Sequence, residues 1–207
     1  AVLFDLDGTL VDSTASVVRS WRRFAEHFDV SMDALHANHG QPARTLVGHL
    51  LPADRHAEAL AHVTDLEVTD AVGLLPIRGA DAFFASVPAE RRAIVTSGSV
   101  PIATARLAAA GYDRPAVFVT VDDVVQGKPH PEPFLLAATR LGVDPSRCLV
   151  VEDAPAGIAA ARAAGCAVIA LTGTTAEDEL TADLVVDGLD AVRVEVVGSG
   201  ALRVVPA

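Results

Sequence analysis

The feature that most constrains this chain is its beginning, where an apolar run stops at two acids. Residues 1–4 are all apolar and predict a short strand buried in the middle of a sheet. Asp5 and Asp7 follow directly, and Gly8 permits a tight turn after them. Two carboxylates at the end of a buried strand cost free energy unless a cation compensates them or a reaction requires them. The opening segment therefore predicts a functional site at the end of a central strand.

The rest of the chain divides into a helical part and an alternating part. Residues 13–77 carry helical spacing and capping signals without a strand pattern, which predicts an inserted helical module. Beyond them, predicted strands alternate with predicted helices, and a hairpin is predicted at the end. The strands are expected at 93–96, 116–119, 148–151, 167–171 and 184–186, and the helices at 100–110, 131–141 and 155–164. The hairpin is expected at 192–197 and 202–205.

Such alternation favours a parallel sheet with helices on both faces. We therefore predict an α/β, Rossmann-like core formed by residues 1–12 and 78–207, with residues 13–77 as an all-helical cap. Sheets of this kind bind ligands at the carboxyl ends of their strands, near the point where the strand order reverses. Four polar side chains follow predicted strands and should meet at that edge: Asp5, Ser97, Glu152 and Asp153.

Two loops beside the predicted strands carry further candidate groups. Ser97 and Gly98 stand where a strand runs into a helix, and a hydroxyl with backbone N–H groups can hold a phosphate there, although simple helix capping explains the same residues. Lys128 is the only lysine in a chain with fifteen arginines. Prolines at 129, 131 and 133 stiffen its loop, so Lys128 is expected to place a cation at a fixed point.

These segments together resemble the four motifs of the haloacid-dehalogenase-like hydrolase superfamily. The matching stretches are Asp-x-Asp-Gly-Thr-Leu at 5–10, Thr-Ser-Gly-Ser at 96–99, Gly-Lys-Pro at 127–129 and Glu-Asp-Ala-Pro-Ala-Gly-Ile at 152–158. The resemblance implies that Asp5 is the nucleophile and Asp7 the general acid/base. It also implies that Lys128 neutralises phosphate charge.

The resemblance extends to the phosphate and metal sites. Ser97 is implied to bind the phosphoryl group beside the Gly98 amide, with Thr96 in its place if the register is shifted by one residue. Mg²⁺ is the implied cofactor, and its ligands would include the Asp5 carboxylate and the Asp7 carbonyl oxygen. Asp153 is the implied direct ligand from the fourth motif, and Glu152 a second or water-bridged one.

Within the superfamily, the motifs look most like those of the sugar and polyol phosphatase branch. The resemblance implies a Mg²⁺-dependent phosphatase that acts on a small phosphorylated sugar or polyol through a phosphoaspartyl intermediate. A β-phosphoglucomutase-like isomerase shares the cap and the motifs and stays an alternative, as does a non-catalytic phosphate-binding module. Asp7 argues against a dehalogenase, and the absence of lysine from residues 13–77 argues against a phosphonatase. Substrate contacts are expected from the cap, at His39, Gly40, Gln41, Arg44 and Glu67.

Composition limits the partners. The formal net charge of −11 argues against nucleic acid and anionic membrane surfaces as partners. No apolar run reaches the ~18 residues of a transmembrane helix, and the two cysteines, Cys148 and Cys166, lie in apolar runs expected to be buried. We therefore expect a cytoplasmic protein, and we also expect a monomer. The resemblance implies that its partner is a small phosphorylated metabolite.

Overall fold

The computed structural model describes residues 1–31, 33, 43–198 and 201–207. Its strands are β1 Val2–Phe4, β2 Arg92–Val95, β3 Val117–Val119, β4 Leu149–Glu152, β5 Ala167–Leu171, β6 Leu184–Val186, β7 Val192–Val197 and β8 Ala201–Pro206. The α-helices in the described part of the chain are α1 Thr14–Phe28, α2 Ala43–Leu50, α3 His56–Thr69, α4 Ala80–Ser86, α5 Val100–Ala109, α6 Glu132–Leu141 and α7 Pro155–Ala163.

Six strands form one parallel sheet in the order β3-β2-β1-β4-β5-β6, and β7 and β8 form a separate antiparallel hairpin. The chain builds outward from β1 to β3 on one side and then returns to build β4 to β6 on the other. The strand order therefore reverses between β1 and β4, the place where open sheets of this kind bind ligands. The predicted α/β class with its inserted helical cap is confirmed.

Both faces of the sheet are covered, which explains why β1 is apolar throughout. Val2 and Phe4 belong to one buried cluster, which includes residues of α4, α5 and the hairpin. Leu3 points to the other face and joins a second cluster with Phe134 of α6 and Ile158 of α7. Because alternate residues are buried on opposite faces, neither face of this strand is left for polar side chains.

The helices α1, α2 and α3 form an apolar cluster of their own, separate from the two clusters of the sheet. Phe24 and Phe28 of α1, Val47 of α2, and Val63 and Leu66 of α3 make up most of it. A separate core supports the predicted division at residues 12/13 and 77/78, which stays a prediction. Within the described part of the chain, no helix has both the length and the apolar character that crossing a lipid bilayer requires.

The predicted strands and helices agree with the structure to within a few residues, and α4 is the main element that the sequence pattern did not predict. Its seven residues include Phe83 and Phe84, whose rings lie edge-on to Phe4 at centroid distances of 6.0 and 5.1 Å. The helix is too short to show clear periodicity. Its contacts with the sheet, rather than local sequence, therefore determine it.

Candidate active site

Three acids lie where β1 and β4 run side by side. Asp5 follows β1, and its backbone N–H donates to the Val151 carbonyl oxygen at 2.9 Å, so the strand pairing continues up to the acid. Glu152 ends β4, and Asp153 follows it. All three are buried, and they form the group of acids within the described residues that could hold a metal ion, with candidate ligand atoms within 4.8 Å of one another.

Lys128 reaches these acids from the loop before α6. Its ammonium donates to Asp5 Oδ1 at 2.5 Å, to Glu152 Oε1 at 2.7 Å and to the Val95 carbonyl oxygen at 3.0 Å. These three acceptors use all three donors of the ammonium group. The only lysine of the chain is thus a buried, fully hydrogen-bonded cation between two carboxylates.

Glu152 is held on both of its carboxylate oxygens. Oε1 accepts from Lys128, and Oε2 accepts from the backbone N–H groups of Asp153 and Ala154 at 2.8 and 2.9 Å. Gly157 in the first turn of α7 makes room for this carboxylate, because a Cβ atom built there would overlap it. The glycine of the fourth motif is therefore explained by close approach.

Asp153 has two hydroxyl partners. Thr9 donates to Oδ1 at 2.9 Å and Thr174 donates to Oδ2 at 2.5 Å. Gly8 has a φ of +85°, and a Cβ atom there would also overlap the Asp153 carboxylate. Thr9 and Thr174 were not predicted as site residues. Thr9 is part of the first motif, whereas Thr174 lies beyond the last motif and carried no sequence signal.

Burial dominates the electrostatics of this cluster. Burial raises the pKa of Asp5 well above its usual value, and the nearby charge of Lys128 opposes that shift. Burial, together with the charge of Glu152, raises the pKa of Asp153 to about 7. Burial lowers the pKa of Lys128 because it disfavours the charged ammonium, but the negative charges of Asp5 and Glu152 outweigh this effect and raise the lysine pKa. One ammonium cannot compensate three ionised acids, and the raised pKa values of Asp5 and Asp153 reflect this shortage of positive charge.

The donor set fits a hard divalent cation. Carboxylate oxygens are the ligands that Mg²⁺ prefers, and a cation here would supply the charge that the buried acids lack. Both oxygens of Glu152 are already engaged by Lys128 and backbone N–H groups. Asp153 instead accepts from the hydroxyls of Thr9 and Thr174, which can rotate to admit a cation. We therefore expect Asp5 and Asp153 to be the direct ligands, and Glu152 to hold Lys128.

Asp7 lies at the rim of this cluster and has its own cationic partner. Its Oδ2 lies 2.6 Å from Nη1 of Arg106, and its Oδ1 accepts from Ser13 at 2.6 Å. The Asp7 side chain is 25% exposed, whereas that of Arg106 is 4% exposed. Arg106 was not predicted as a site residue. The sequence placed it on the helix after β2 but gave no indication of what it contacts.

Ser97 and Gly98 follow β2, as predicted, but the hydroxyl that binds the Gly98 N–H is that of Thr96. Thr96 Oγ1 accepts this hydrogen bond at 3.0 Å, and Thr96 is buried, whereas Ser97 is half-buried. The backbone N–H of Thr96 pairs with the Val119 carbonyl oxygen as an extension of β2. This leaves Ser97 as the better exposed of the two hydroxyls that the sequence left open, and its role stays a prediction.

The residues of the cap that were predicted to contact the substrate differ in where the structure places them. His39, Gly40 and Gln41 lie outside the described residues. Arg44 is exposed in the first turn of α2. Glu67 is buried near the end of α3, and its Oε2 accepts from Arg106 Nη2 at 2.6 Å. The predicted substrate contacts of these residues stay predictions.

Together, a parallel sheet with an acidic, metal-compatible edge and an inserted helical segment define an α/β enzyme with its site at the switch point. The sequence model of the haloacid dehalogenase-like hydrolase family matches residues 1–165. The chain belongs to this family and is a hydrolase, as the motifs predicted.

Named relatives extend the match over almost the whole chain. Hexitol phosphatase A of Escherichia coli strain K12 is 42% identical over 202 residues, which cover 93% of this chain and 92% of that protein. Glycerol-1-phosphate phosphohydrolase 1 of Saccharomyces cerevisiae is 34% identical, covering 94% of this chain and 84% of that protein. A crystal structure of a hydrolase from Pseudomonas syringae is 29% identical, has a TM-score of 0.78 and covers 89% of this chain and 92% of that chain.

Proposed function

We propose that this chain is a Mg²⁺-dependent phosphatase that hydrolyses a small phosphorylated sugar or polyol through a phosphoaspartyl intermediate. The observation that carries the proposal is the contact of the Lys128 ammonium with both Asp5 and Glu152, 2.5 and 2.7 Å away. A cation in this position opposes the effect of burial on the Asp5 pKa and so favours the carboxylate form that a nucleophile requires. The same cation can neutralise charge on a phosphate bound in front of Asp5.

The roles of the two first-motif acids follow from their surroundings. Asp5 attacks phosphorus, the bond to the leaving oxygen breaks, and a phosphoaspartyl group forms on Oδ. Asp7, which is more exposed, gives its proton to the leaving alkoxide. Asp7 then takes a proton from the water that attacks the phosphoaspartyl group and releases phosphate. The hydroxyl of Ser97 would assist in holding the phosphoryl oxygens, and the N–H of Gly98 would do so by exchanging its bond to Thr96 for one to the phosphate.

The proposed metal ligands are the carboxylates of Asp5 and Asp153 and the carbonyl oxygen of Asp7, with Glu152 acting through Lys128 or a water. Bound Mg²⁺ supplies positive charge to the phosphoryl oxygens in the transition state. The hydroxyls of Thr9 and Thr174 would keep the Asp153 carboxylate turned toward the ion. These hydrogen bonds fix the orientation of a ligand that burial alone would leave free to rotate.

The substrate class rests on the relatives and on the cap. The two named relatives are phosphatases of a hexitol phosphate and of glycerol 1-phosphate, which supports a polyol or sugar phosphate here. The cap would cover the substrate and exclude water. Glu67 of the proposed cap accepts from Arg106, and a carboxylate has further lone pairs that would accept from a substrate hydroxyl. A cytoplasmic location and a monomeric state stay predictions.

Release of inorganic phosphate from a panel of hexitol, glycerol and sugar phosphates, with Mg²⁺ or with EDTA, tests the proposal. We expect turnover of polyol or sugar phosphates that requires Mg²⁺. The variant Asp5→Asn should retain the fold, measured by circular dichroism, and lose turnover by at least about 10³-fold, because the amide is not a nucleophile. The matched control Asp187→Asn changes an exposed acid paired with Arg78 and should keep full activity.

The outcomes separate the alternatives. An isomerised sugar phosphate without free phosphate would indicate the mutase. Binding of phosphate without turnover of the panel would indicate a non-catalytic module. Full activity of Asp5→Asn would refute the proposed nucleophile.

A further inference from the structure

The feature behind this inference is a buried arginine that the hydrolytic mechanism does not yet use. Arg106 lies in α5, which is otherwise composed of small and apolar residues. A guanidinium on such a helix normally extends to water, yet Arg106 is 3% exposed. Burying this charge costs several kcal/mol unless ionised partners compensate it. The position of its partners therefore indicates what the burial achieves.

The partners of Arg106 come from two separate parts of the chain. Nη1 lies 2.6 Å from Asp7 in the loop after β1, and Nη2 lies 2.6 Å from Glu67 in α3 of the helical segment. One guanidinium thus joins the proposed acid/base to helix α3 of the proposed cap.

The geometry at the guanidinium indicates that the two acids determine its place. Arg106 Nε is buried and has no hydrogen-bond partner among the described residues. Buried polar groups normally have hydrogen-bond partners, so the Nε donor would also be bonded if the fold only had to satisfy the guanidinium. Instead, the guanidinium makes two charge-assisted contacts of 2.6 Å, one to each acid, and Nε is left without a partner in the described part of the chain.

The Asp7 carboxylate needs such a constraint more than the other acids do. Asp5 and Asp153 are enclosed, but Asp7 is on the rim, and its side chain could adopt several rotamers. Ser13 restrains Oδ1, and Arg106 restrains Oδ2. An acid that must reach the leaving oxygen loses much of its effect when it is misplaced by about 1 Å.

We propose that Arg106 is a positioning residue that fixes the Asp7 carboxylate at the leaving-group oxygen. Through its contact with Glu67, this placement depends on the cap being packed against the core. This inference rests on the proposed phosphatase function. It assigns to the Arg106–Glu67 contact a part in the reaction beyond joining two packed elements. A simple stabilising ion pair would affect folding alone.

The test uses substrates that differ in their need for an acid. Alkyl phosphates such as glycerol phosphate need a proton on the leaving oxygen, whereas p-nitrophenyl phosphate has a good leaving group and needs little protonation. Because kcat/KM includes leaving-group departure, we expect Arg106→Met to lower it by about 100-fold or more for alkyl phosphates. The loss for p-nitrophenyl phosphate should be at least 10-fold smaller. Arg106→Lys should recover part of the alkyl activity, because an ammonium can reach one acid.

Two further comparisons isolate the pathway through Asp7. Adding Arg106→Met to Asp7→Asn should cause little further loss, because the residue to be positioned is already inactive. Glu67→Gln keeps the side-chain shape and should show the same preference for aryl over alkyl substrates, to a smaller extent. The control Arg19→Met removes an exposed contact with Asp70 and should change neither substrate class.

Equal losses for alkyl and aryl phosphates, or additive losses in the double variant, would overturn the inference. Crystal structures of the unmodified protein and of Arg106→Lys, which retains a buried cation, decide the question independently of turnover. A displaced Asp7 carboxylate in the variant supports the positioning role, and an unmoved one overturns it. Absence of turnover by the unmodified protein would instead refute the proposed function, while the Asp7 position would still decide this inference.

Discussion

Replacement of Lys128 by methionine tests the central electrostatic argument of the site. Methionine keeps much of the apolar stem and removes the ammonium, which donates three hydrogen bonds to Asp5, Glu152 and Val95. Two buried carboxylates then face each other without a cation. Removing one partner of a buried ion pair costs about 3–5 kcal/mol of folding free energy. We expect a loss of that size at pH 7 without Mg²⁺.

The loss should depend on pH in a definite direction. Burial raises the pKa of Asp5, and Lys128 opposes that shift, so removal of the lysine raises this pKa further. A group whose pKa is raised in the folded state contributes stability that is present at low pH and lost as the pH rises. The penalty of Lys128→Met should therefore be smaller at pH 5 than at pH 8. Mg²⁺ should restore part of the stability, because it binds the folded state.

Urea unfolding at several pH values measures both effects. The control Arg193→Met breaks an exposed contact with Glu195 and should change the unfolding free energy by no more than about 0.5 kcal/mol. A loss below about 1 kcal/mol for Lys128→Met, or a loss that does not vary with pH, would refute the reasoning. The variant should also lose phosphatase activity with Mg²⁺ present, because the charge that faces the phosphate is gone.

Two further predictions concern the fourth motif and the metal. Gly157→Ala places a Cβ against the Glu152 carboxylate and should lower the unfolding free energy by about 1–3 kcal/mol. The control Gly48→Ala lies in α2, where a Cβ would come no nearer than 4.0 Å to His56, and should raise the unfolding free energy by about 0.5–1 kcal/mol. Urea unfolding measures both, and a neutral Gly157→Ala would contradict the close approach. Burial raises the pKa of Asp153 from 3.8 to about 7, so metal-free protein should lose stability from pH 4 to pH 7, by up to about 1.4 kcal/mol per pH unit. Asp153→Asn should flatten that slope, and an unchanged slope in this variant would assign the effect to another group.

The sheet could be predicted because its strands are short, apolar and separated by helical patterns. Residues that must be buried on both faces leave a continuous apolar run, and the acids that end such runs stand out. This is why Asp5, Glu152 and Asp153 were assigned to one edge before the structure was known, and they lie there. The strand order itself was not predicted, and the structure adds that β1 and β4 are neighbours in the sheet.

The contacts made by isolated polar residues could not be predicted in the same way. Thr174 reaches Asp153 across 21 residues of sequence, and Arg106 reaches Glu67 across 39. Neither residue lies in a motif, and each stands in a segment whose local pattern is already explained by a loop or a helix. Only the packing of α3 against α5 brings the Arg106 contact about.

The acceptors around the two buried cations of the site explain why one of these cations is a lysine and the other an arginine. The acceptors around Lys128 converge on one point, and a compact ammonium with three rotatable donors satisfies them all. The acceptors around Arg106 belong to separate elements, and the two arms of a planar guanidinium reach one acid each. A guanidinium in place of Lys128 would overfill the gap between Asp5 and Glu152, and an ammonium in place of Arg106 would reach one acid only. The geometry of the acceptors, rather than their charge alone, therefore determines which basic residue each position requires.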